Sequence, residues 1–180
     1  MGTTQDDWRS TITMEPVGVV RDGRPTGDDD FWGGFVSRIE LDADRFGPDA
    51  LAALDSFSHV LVVYHFHAVA PGSEETGGRR PRGREDWPVV GIFAQRAKRR
   101  PNRLGVTTCR VVEVRGTTLT VEGLDAMDGT PVLDLKPHMV EFDPRGEVRQ
   151  PDWSHELMTE YFLPHDAPRD DAGRDDAGRG

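Results

Sequence analysis

The chain has 180 residues, a net charge of -10 and 36% hydrophobic residues, a composition that suits one domain with a buried core. No apolar run approaches the roughly 20 residues of a membrane-spanning helix, and the first residues lack the basic and apolar regions of a signal peptide. We therefore expect a cytoplasmic protein with no membrane partner. A single cysteine, Cys109, excludes an internal disulfide, and its apolar neighbours predict a buried strand position.

Apolar runs separated by Gly, Pro and Asp predict a mainly β protein. Residues 1–13 precede these runs and are polar, so we expect a flexible N-terminus. The predicted strands are Glu15–Val20, Phe35–Leu41, His59–His67, Val89–Ala94, Leu104–Arg115, Thr117–Leu124 and Val132–Lys136. Arg115-Gly116-Thr117 is a tight reversal, which predicts a hairpin between the two strands around it.

Two helices are predicted among these strands. Pro48–Leu54 has a proline near its start, where a missing N–H costs nothing. Pro151–Phe162 places Trp153, Leu157, Met158, Tyr161 and Phe162 on one apolar face. Many short strands with few helices favour a small closed or nearly closed β-barrel with a few flanking helices. We assign the barrel domain to residues 14–163 and expect residues 164–180, with their repeated R-D-D-A-G, to be a disordered acidic tail.

A densely basic loop lies in the run G-I-F-A-Q-R-A-K-R-R-P-N-R-L-G from Gly91 to Gly105. From Arg79 to Arg103 the sequence has nine basic and two acidic side chains, a local charge of +7 in an acidic protein. A solvated loop would account for this pattern. An anion or polyanion site would account for it too, because the local field decides what approaches a surface.

Two carboxylates belong to the turn L-D-A-M-D-G-T-P, residues 124–131. The apolar approach to this turn would bring Asp125 and Asp128 to the rim of the core, where they could accept hydrogen bonds from a ribose or an amine, or take a proton. A plain connection built on Asp128-Gly129 is the alternative. Met127 could pack on a flat ring or fill an irregular gap in the core.

Two histidines, His65 and His67, share one face of the strand V-L-V-V-Y-H-F-H, while Tyr64 and Phe66 take the other face. Such a pair can ligate zinc, but no cysteine cluster completes a tetrahedral set, so we expect no metal. Polar gating at a barrel mouth, or proton acceptance by a neutral imidazole, is favoured instead.

Two shorter segments also predict local structure. Asp134 and Lys136 lie two residues apart on one strand, and we expect them to pair. The segment D-D-D-F-W-G-G, residues 28–34, is expected to be a flexible loop whose tryptophan stacks on a base, caps a pocket or packs locally.

The motifs G-I-F-A-Q-R-A-K-R-R-P-N-R-L-G-V-T (91–107) and G-L-D-A-M-D-G-T-P-V-L-D-L-K-P (123–137) resemble the TsaA-like family, whose characterised members are TrmO-type tRNA methyltransferases. Segments 14–20 and 55–67 are similar too, so the resemblance covers roughly residues 14–162. It implies an S-adenosyl-L-methionine site in a β-barrel, within a homodimer. It also implies methylation of the exocyclic amine of threonylcarbamoyl-adenosine at tRNA position 37.

Carried over residue by residue, the resemblance implies that the cofactor lies against Phe66, His67, Arg96, Leu104, Gly105, Val106, Asp125, Ala126, Met127, Asp128 and Gly129. Either Asp128 or His67 is expected to accept the proton from the reacting amine. The residues expected to meet the RNA are Lys98, Arg99, Arg100, Asn102 and Arg103.

Three functions stay open on this sequence. The first is a tRNA methyltransferase, and the second is a methyltransferase of a small-molecule metabolite, favoured by the net charge of -10 and by the expectation that no further C-terminal domain is present. The third is a module that binds S-adenosyl-L-methionine without turnover.

Overall fold

The structure, a computed structural model, describes residues 10–164 and consists mainly of strands. Parts of the predicted flexible N-terminus (1–9) and of the predicted acidic tail (165–180) lie outside the described residues. The strands are β1 Gly18–Arg21, β2 Val36–Leu41, β3 His59–His65, β4 Gly78–Arg79, β5 Val90–Gly91, β6 Leu104–Arg115, β7 Thr118–Glu122 and β8 Pro131–Pro137. The one α-helix of the described residues is α1, Asp152–Met158. Short 3-10 helices span Pro48–Leu51, Leu54–Ser56, Pro81–Gly83, Ile92–Ala94 and Val140–Phe142.

Six strands form a closed barrel in the order β1-β2-β7-β6-β3-β8, which confirms the predicted fold class. All neighbouring pairs are antiparallel, and the pairing of Gly18 with Val132 closes the barrel between β1 and β8. β4 and β5 pair separately, in the long connection between β3 and β6. Within residues 10–164, no helix is long and apolar enough to cross a membrane.

The barrel interior is filled by every second side chain of its strands, as the two-residue period of a strand requires. Inward-facing residues include Val60, Val62 and Tyr64 of β3, and Leu119 and Val121 of β7. The confirmed predictions here are the buried Cys109, the β6–β7 hairpin turning at Gly116 (φ 58°), and the Asp134–Lys136 ion pair at 2.7 Å.

The predicted strand Val89–Ala94 is wrong over most of its length. Only Val90–Gly91 is extended, because β4 offers it a partner of just two residues. The chain then turns into the 3-10 helix Ile92–Ala94, which buries Ile92 and exposes Phe93. A short apolar run does not distinguish such a turn from a buried strand.

Both predicted helices are shorter than expected. Pro48–Leu54 is two 3-10 turns, separated where Ala53 takes a left-handed conformation (φ 63°). Pro151–Phe162 is helical only over Asp152–Met158, so Tyr161 and Phe162 do not extend one apolar helix face.

After α1, residues Glu160–Pro164 form what we call the C-terminal strap, which lies against the loop at Phe31–Gly33. The backbone N–H groups of Phe31, Trp32 and Gly33 donate to carbonyls of the strap at 3.1, 2.8 and 3.1 Å. A Cβ on Gly33 would lie 1.9 Å from the carbonyl oxygen of Phe162, so this close approach requires glycine.

The loop D-D-D-F-W-G-G is therefore packed, contrary to the expected flexible loop. Trp32 is 3% exposed, and the guanidinium of Arg24 lies 4.4 Å from its ring centroid. The buried carboxylate of Asp30 accepts two hydrogen bonds from the Arg82 guanidinium, at 2.8 and 2.7 Å. This pair ties the loop to the connection between β3 and β6.

Candidate functional site

A cleft of about 340 Å³ opens between the end of β3, the start of β6 and the basic loop. Its volume lies within the roughly 300–1,000 Å³ of small-molecule sites in proteins. Its lining residues are Tyr64, Phe66, Phe93, Arg96, Arg100, Pro101, Asn102, Leu104, Gly105, Val106 and Asp125. Burial changes across it, since Tyr64 and Gly105 are buried whereas Phe93, Arg96 and Asn102 are exposed.

At the buried side of the cleft, the carboxylate of Asp125 is held by three hydroxyl groups. Its Oδ1 accepts from the Tyr64 phenol at 2.8 Å and from the Thr107 hydroxyl, and its Oδ2 accepts from the Tyr161 phenol at 2.5 Å. A carboxylate has about four acceptor positions. Three are taken, so one position of Asp125 remains for a donor on a ligand.

The two phenols keep their protons at every physiological pH. Burial, and to a smaller extent the charge of Asp125, raises the pKa of Tyr64 and of Tyr161 above the ordinary value for tyrosine. Both side chains therefore act on Asp125 as donors. The arrangement presents a fixed negative charge inside a partly apolar cleft.

Glycine at position 105 makes this arrangement possible. A Cβ there would lie 2.3 Å from the ring of Tyr64, so the absence of a side chain lets the phenol pass across β6 to Asp125. Tyr64 also meets Phe66 edge to face, with ring centroids 5.3 Å apart, as the predicted shared strand face requires.

The basic loop does not present all its charge to the cleft. Arg96 and Arg100 line the cleft, and their guanidinium groups donate to the carbonyls of Val106 and Gln95. Two other cations of the loop pair with acids elsewhere: Lys98 with Asp29 at 3.5 Å and Arg103 with Glu74 at 3.2 Å. Arg99 is exposed.

Predicted site residues thus divide into two groups. The structure brings together Phe66, Arg96, Leu104, Gly105, Val106 and Asp125 around the cleft, with Arg100 and Asn102 from the predicted RNA set. The residues that do not line it are His67, Ala126, Met127, Asp128, Gly129, Lys98, Arg99 and Arg103.

His67 and Asp128 lie on adjoining turns, outside the set of residues that line the cleft. His67 follows β3 and its Nδ1 is 3.2 Å from the hydroxyl of Thr130, two residues after Asp128. The Asp128 carboxylate accepts from the Gly23 N–H at 3.3 Å, and its own N–H donates to the Arg24 carbonyl at 3.0 Å. The two proton-acceptor candidates therefore belong to one neighbourhood.

The neighbouring histidine, His65, is held towards its neutral form. Partial burial, then the charges of Arg103 and His67, lower the pKa of His65. Among residues 10–164, no group of three or more His, Cys, Asp or Glu side chains is placed to hold a metal ion.

Sequence reasoning missed five residues of this site as site residues: Tyr64, Phe93, Pro101, Thr107 and Tyr161. Tyr64 was placed only on a strand face, Tyr161 only on a helix face, and Phe93 only in a strand. Tyr161 is 36 residues from Asp125 in the chain, so no local pattern pairs them. Phe93 had one usable signal, its position three residues before Arg96 at the start of the basic loop.

Comparison with known proteins identifies the family. The model of the tRNA-methyltransferase O N-terminal domain matches residues 29–144, well over half of the chain. This chain belongs to the TrmO N-terminal domain family. The TrmO family match contains the cleft-lining residues from Tyr64 to Asp125 and excludes the strap.

Individual relatives agree with this family. The chain is 37% identical over 106 residues to a probable S-adenosyl-L-methionine-binding protein of Pyrococcus abyssi, covering 56% of this chain and 52% of that protein. It is 31% identical over 122 residues to the human tRNA (adenine(37)-N6)-methyltransferase, covering 68% of this chain and 27% of the human protein. The match therefore spans about half or less of these relatives.

The TrmO fold is also found among solved structures. The crystal structure of TrmO from Pseudomonas aeruginosa superposes with a TM-score of 0.63 and 28% identity, covering 78% of this chain and 61% of that one. Sequence and fold thus lead to the same family.

Proposed function

We propose that this chain is an S-adenosyl-L-methionine-dependent methyltransferase that modifies the exocyclic amine of adenine 37 in tRNA. The acceptor is inferred to be threonylcarbamoyl-adenosine. The observation that carries the proposal is the Asp125 carboxylate, fixed by three hydroxyl groups in a cleft lined mainly by residues of the two family motifs. A cytoplasmic location accompanies this proposal.

The residues present fit the cofactor. Asp125 offers one free acceptor position and a negative charge, which suits a cationic ligand with N–H or O–H donors. Phe66 and Leu104 provide apolar surfaces beside it, on which a purine ring or an aliphatic chain can pack. Arg96, at the exposed side, can meet a carboxylate.

When bound, S-adenosyl-L-methionine supplies a methyl group activated by a sulfonium centre. The task of the chain is mainly to position two reactants. The amine that gains the methyl group must lose a proton, and His67 and Asp128 remain the candidates to take it. A kcat–pH profile separates them: the base is the residue whose variant, His67→Gln or Asp128→Asn, loses the acidic limb.

The test supplies purified protein with methyl-labelled cofactor and total tRNA from a strain lacking the protein. Nucleosides are then separated and identified. We expect label in methylated threonylcarbamoyl-adenosine, and much less with the Asp125→Asn variant when the cofactor is kept below the Kd of the wild type. Labelling of another nucleoside would overturn the stated acceptor, and labelling of a small amine from cell extract would favour a metabolite as substrate.

Binding without turnover is the second candidate, because the relative from P. abyssi is named as a binding protein. Calorimetry, combined with the labelling assay, distinguishes binding without turnover from methyl transfer. Heat on adding the cofactor, with no labelled product from tRNA or extract, would support this second function. Absence of heat would contradict both.

A homodimer also belongs to this proposal. Its support is the apolar surface of the segment after β8, where Val140 and Phe142 are 71% and 85% exposed. Light scattering should give twice the chain mass, and Val140→Glu should reduce it to one chain. A wild-type mass of one chain would contradict the dimer.

A further inference from the structure

One aromatic side chain of the cleft is exposed to an unusual degree. Phe93 is 78% exposed although it is a large apolar ring, and it lines the same cleft as Asp125. An isolated exposed apolar residue needs no explanation. A ring that forms part of the wall of a cleft, next to two guanidinium groups, does.

The backbone beneath Phe93 is firmly fixed. The 3-10 helix Ile92–Ala94 buries Ile92 at 2% exposure, and the Ile92 N–H donates to the Gly77 carbonyl at 3.0 Å. The buried side-chain amide of Gln95 donates to the Val90 carbonyl at 3.0 Å. A ring presented on such a rigid turn loses little conformational freedom when a ligand covers it.

The groups around Phe93 are those that recognise a nucleotide. Arg96 and Arg100 supply positive charge beside the ring, and the amide of Asn102 has both donors and an acceptor. Unstacked bases are bound in this way, with the flat face on an aromatic side chain and the edge hydrogen-bonded. Within the described part of the chain, Arg96 and Arg100 donate to carbonyl groups and have no carboxylate partner, so their charges stay uncompensated.

We propose that Phe93 is the platform on which the methyl-acceptor base stacks, with Arg100 and Asn102 at its edge. This assignment rests on the proposed function. It divides the cleft into two halves: the cofactor belongs to the buried half at Asp125, and the acceptor base belongs to the exposed half at Phe93. The occupant is an unpaired nucleobase of an RNA loop.

Two variants test the assignment, Phe93→Ala and Phe93→Trp, with Val89→Ala as the control. Val89 is also exposed and apolar, but it does not line the cleft. The measurements are the Kd for an anticodon stem-loop RNA by fluorescence anisotropy and the Kd for S-adenosyl-L-methionine by calorimetry. Circular dichroism checks folding, and light scattering checks the mass of the assembly.

We expect Phe93→Ala to weaken RNA binding roughly 5- to 100-fold, the range for loss of one base–aromatic stack, and to leave the cofactor Kd unchanged. Phe93→Trp should retain wild-type affinity, and Val89→Ala should have no effect. RNA affinity in Phe93→Ala equal to that of the wild type would overturn the assignment. So would a change of assembly mass, which would make the ring a subunit contact.

The failure of the proposed function would look different. If the wild-type protein binds the cofactor but no RNA, the RNA substrate and the stacking platform are both rejected. If the wild type binds and methylates RNA while Phe93→Ala does the same with equal constants, only the platform is rejected.

Discussion

Asp125 shows how one residue acquires its role from its neighbours. Its carboxylate is held by Tyr64, Thr107 and Tyr161, and none of these donors is charged. Hydroxyl donors orient a carboxylate without cancelling its charge, whereas an arginine partner would neutralise it. The charge of Asp125 therefore remains available to a cationic ligand.

A single substitution measures how much the charge of Asp125 contributes to cofactor binding. Asp125→Asn keeps the shape and removes the charge, so it should weaken S-adenosyl-L-methionine binding about tenfold or more, the size of a charge-assisted hydrogen bond. S-adenosylhomocysteine has a neutral thioether, so the same substitution should weaken its binding much less. Calorimetry with both ligands gives the comparison, and Asp134→Asn, whose carboxylate pairs with Lys136, serves as the control. Equal losses for the two ligands would contradict the electrostatic role.

Cys109 is the opposite case, a reactive group made inert by its position. It is 1% exposed inside the barrel, and burial raises the pKa of its thiol above the ordinary value for cysteine. We expect no reaction with a thiol reagent in the folded protein and one thiol per chain after unfolding. The rate of labelling should follow the rate of global unfolding in denaturant. Fast labelling without denaturant would show that β6 opens locally.

At the scale of elements, the strands were predictable because their period is local. Buried and exposed residues alternate along β3, β6 and β7, so the pattern is visible in consecutive residues. A barrel follows because six such strands must each bury one face. Among the segments whose structure differs from the prediction, Ile92–Ala94 and the strap depend on contacts with residues distant in the chain. The strap turns instead of continuing the helix, and the backbone N–H groups of residues 31–33 hold it by donating to its carbonyls.

The same distinction, between local patterns and contacts of distant residues, explains which residues of the candidate site could be predicted. Arg96, Leu104, Gly105 and Asp125 were found through the family motifs, which are continuous in the chain. Tyr161 could not be found, because it reaches Asp125 only when the strap is seated on the loop at Phe31–Gly33. The site is thus assembled from the barrel and from an element outside it.

The contact between the strap and the loop at Phe31–Gly33 should therefore control cofactor affinity. Gly33→Ala forces a Cβ against the Phe162 carbonyl, so the strap must shift and Tyr161 must leave Asp125. We expect Gly33→Ala and Tyr161→Phe to weaken cofactor binding by a similar factor, about 5-fold for one hydrogen bond near 1 kcal/mol. Gly77→Ala, where a Cβ meets open space, is the control.

Calorimetry on the double variant sharpens this test. Once Tyr161 is already phenylalanine, Gly33→Ala should weaken cofactor binding little further, because both changes remove the same hydrogen bond. Full additivity of the two losses would mean that the strap affects the cleft by another route.

At the scale of the whole molecule, the net charge of -10 hides a separation of charge. The stretch Arg79–Arg103 is basic, but five of its nine cations are ion-paired within the described residues. These five pairs are Arg79–Glu75, Arg82–Asp30, Arg84–Asp86, Lys98–Asp29 and Arg103–Glu74. Two of these pairs tie the connection between β3 and β6 to the loop at residues 28–34, and the other three lie within that connection.

RNA should consequently release few counterions on binding. If Arg99 and Arg100 each meet one phosphate, the slope of log K against log salt concentration should be about -1.4, from roughly -0.7 per phosphate contact on a single strand. Replacing both Arg99 and Arg100 by alanine should bring the slope towards zero by the same relation. Arg84→Ala removes an exposed cation that pairs with Asp86, so it should leave the slope nearly unchanged. Anisotropy titrations from low to high salt measure all three proteins. A slope that does not respond to loss of Arg99 and Arg100 would mean that this surface does not meet phosphates.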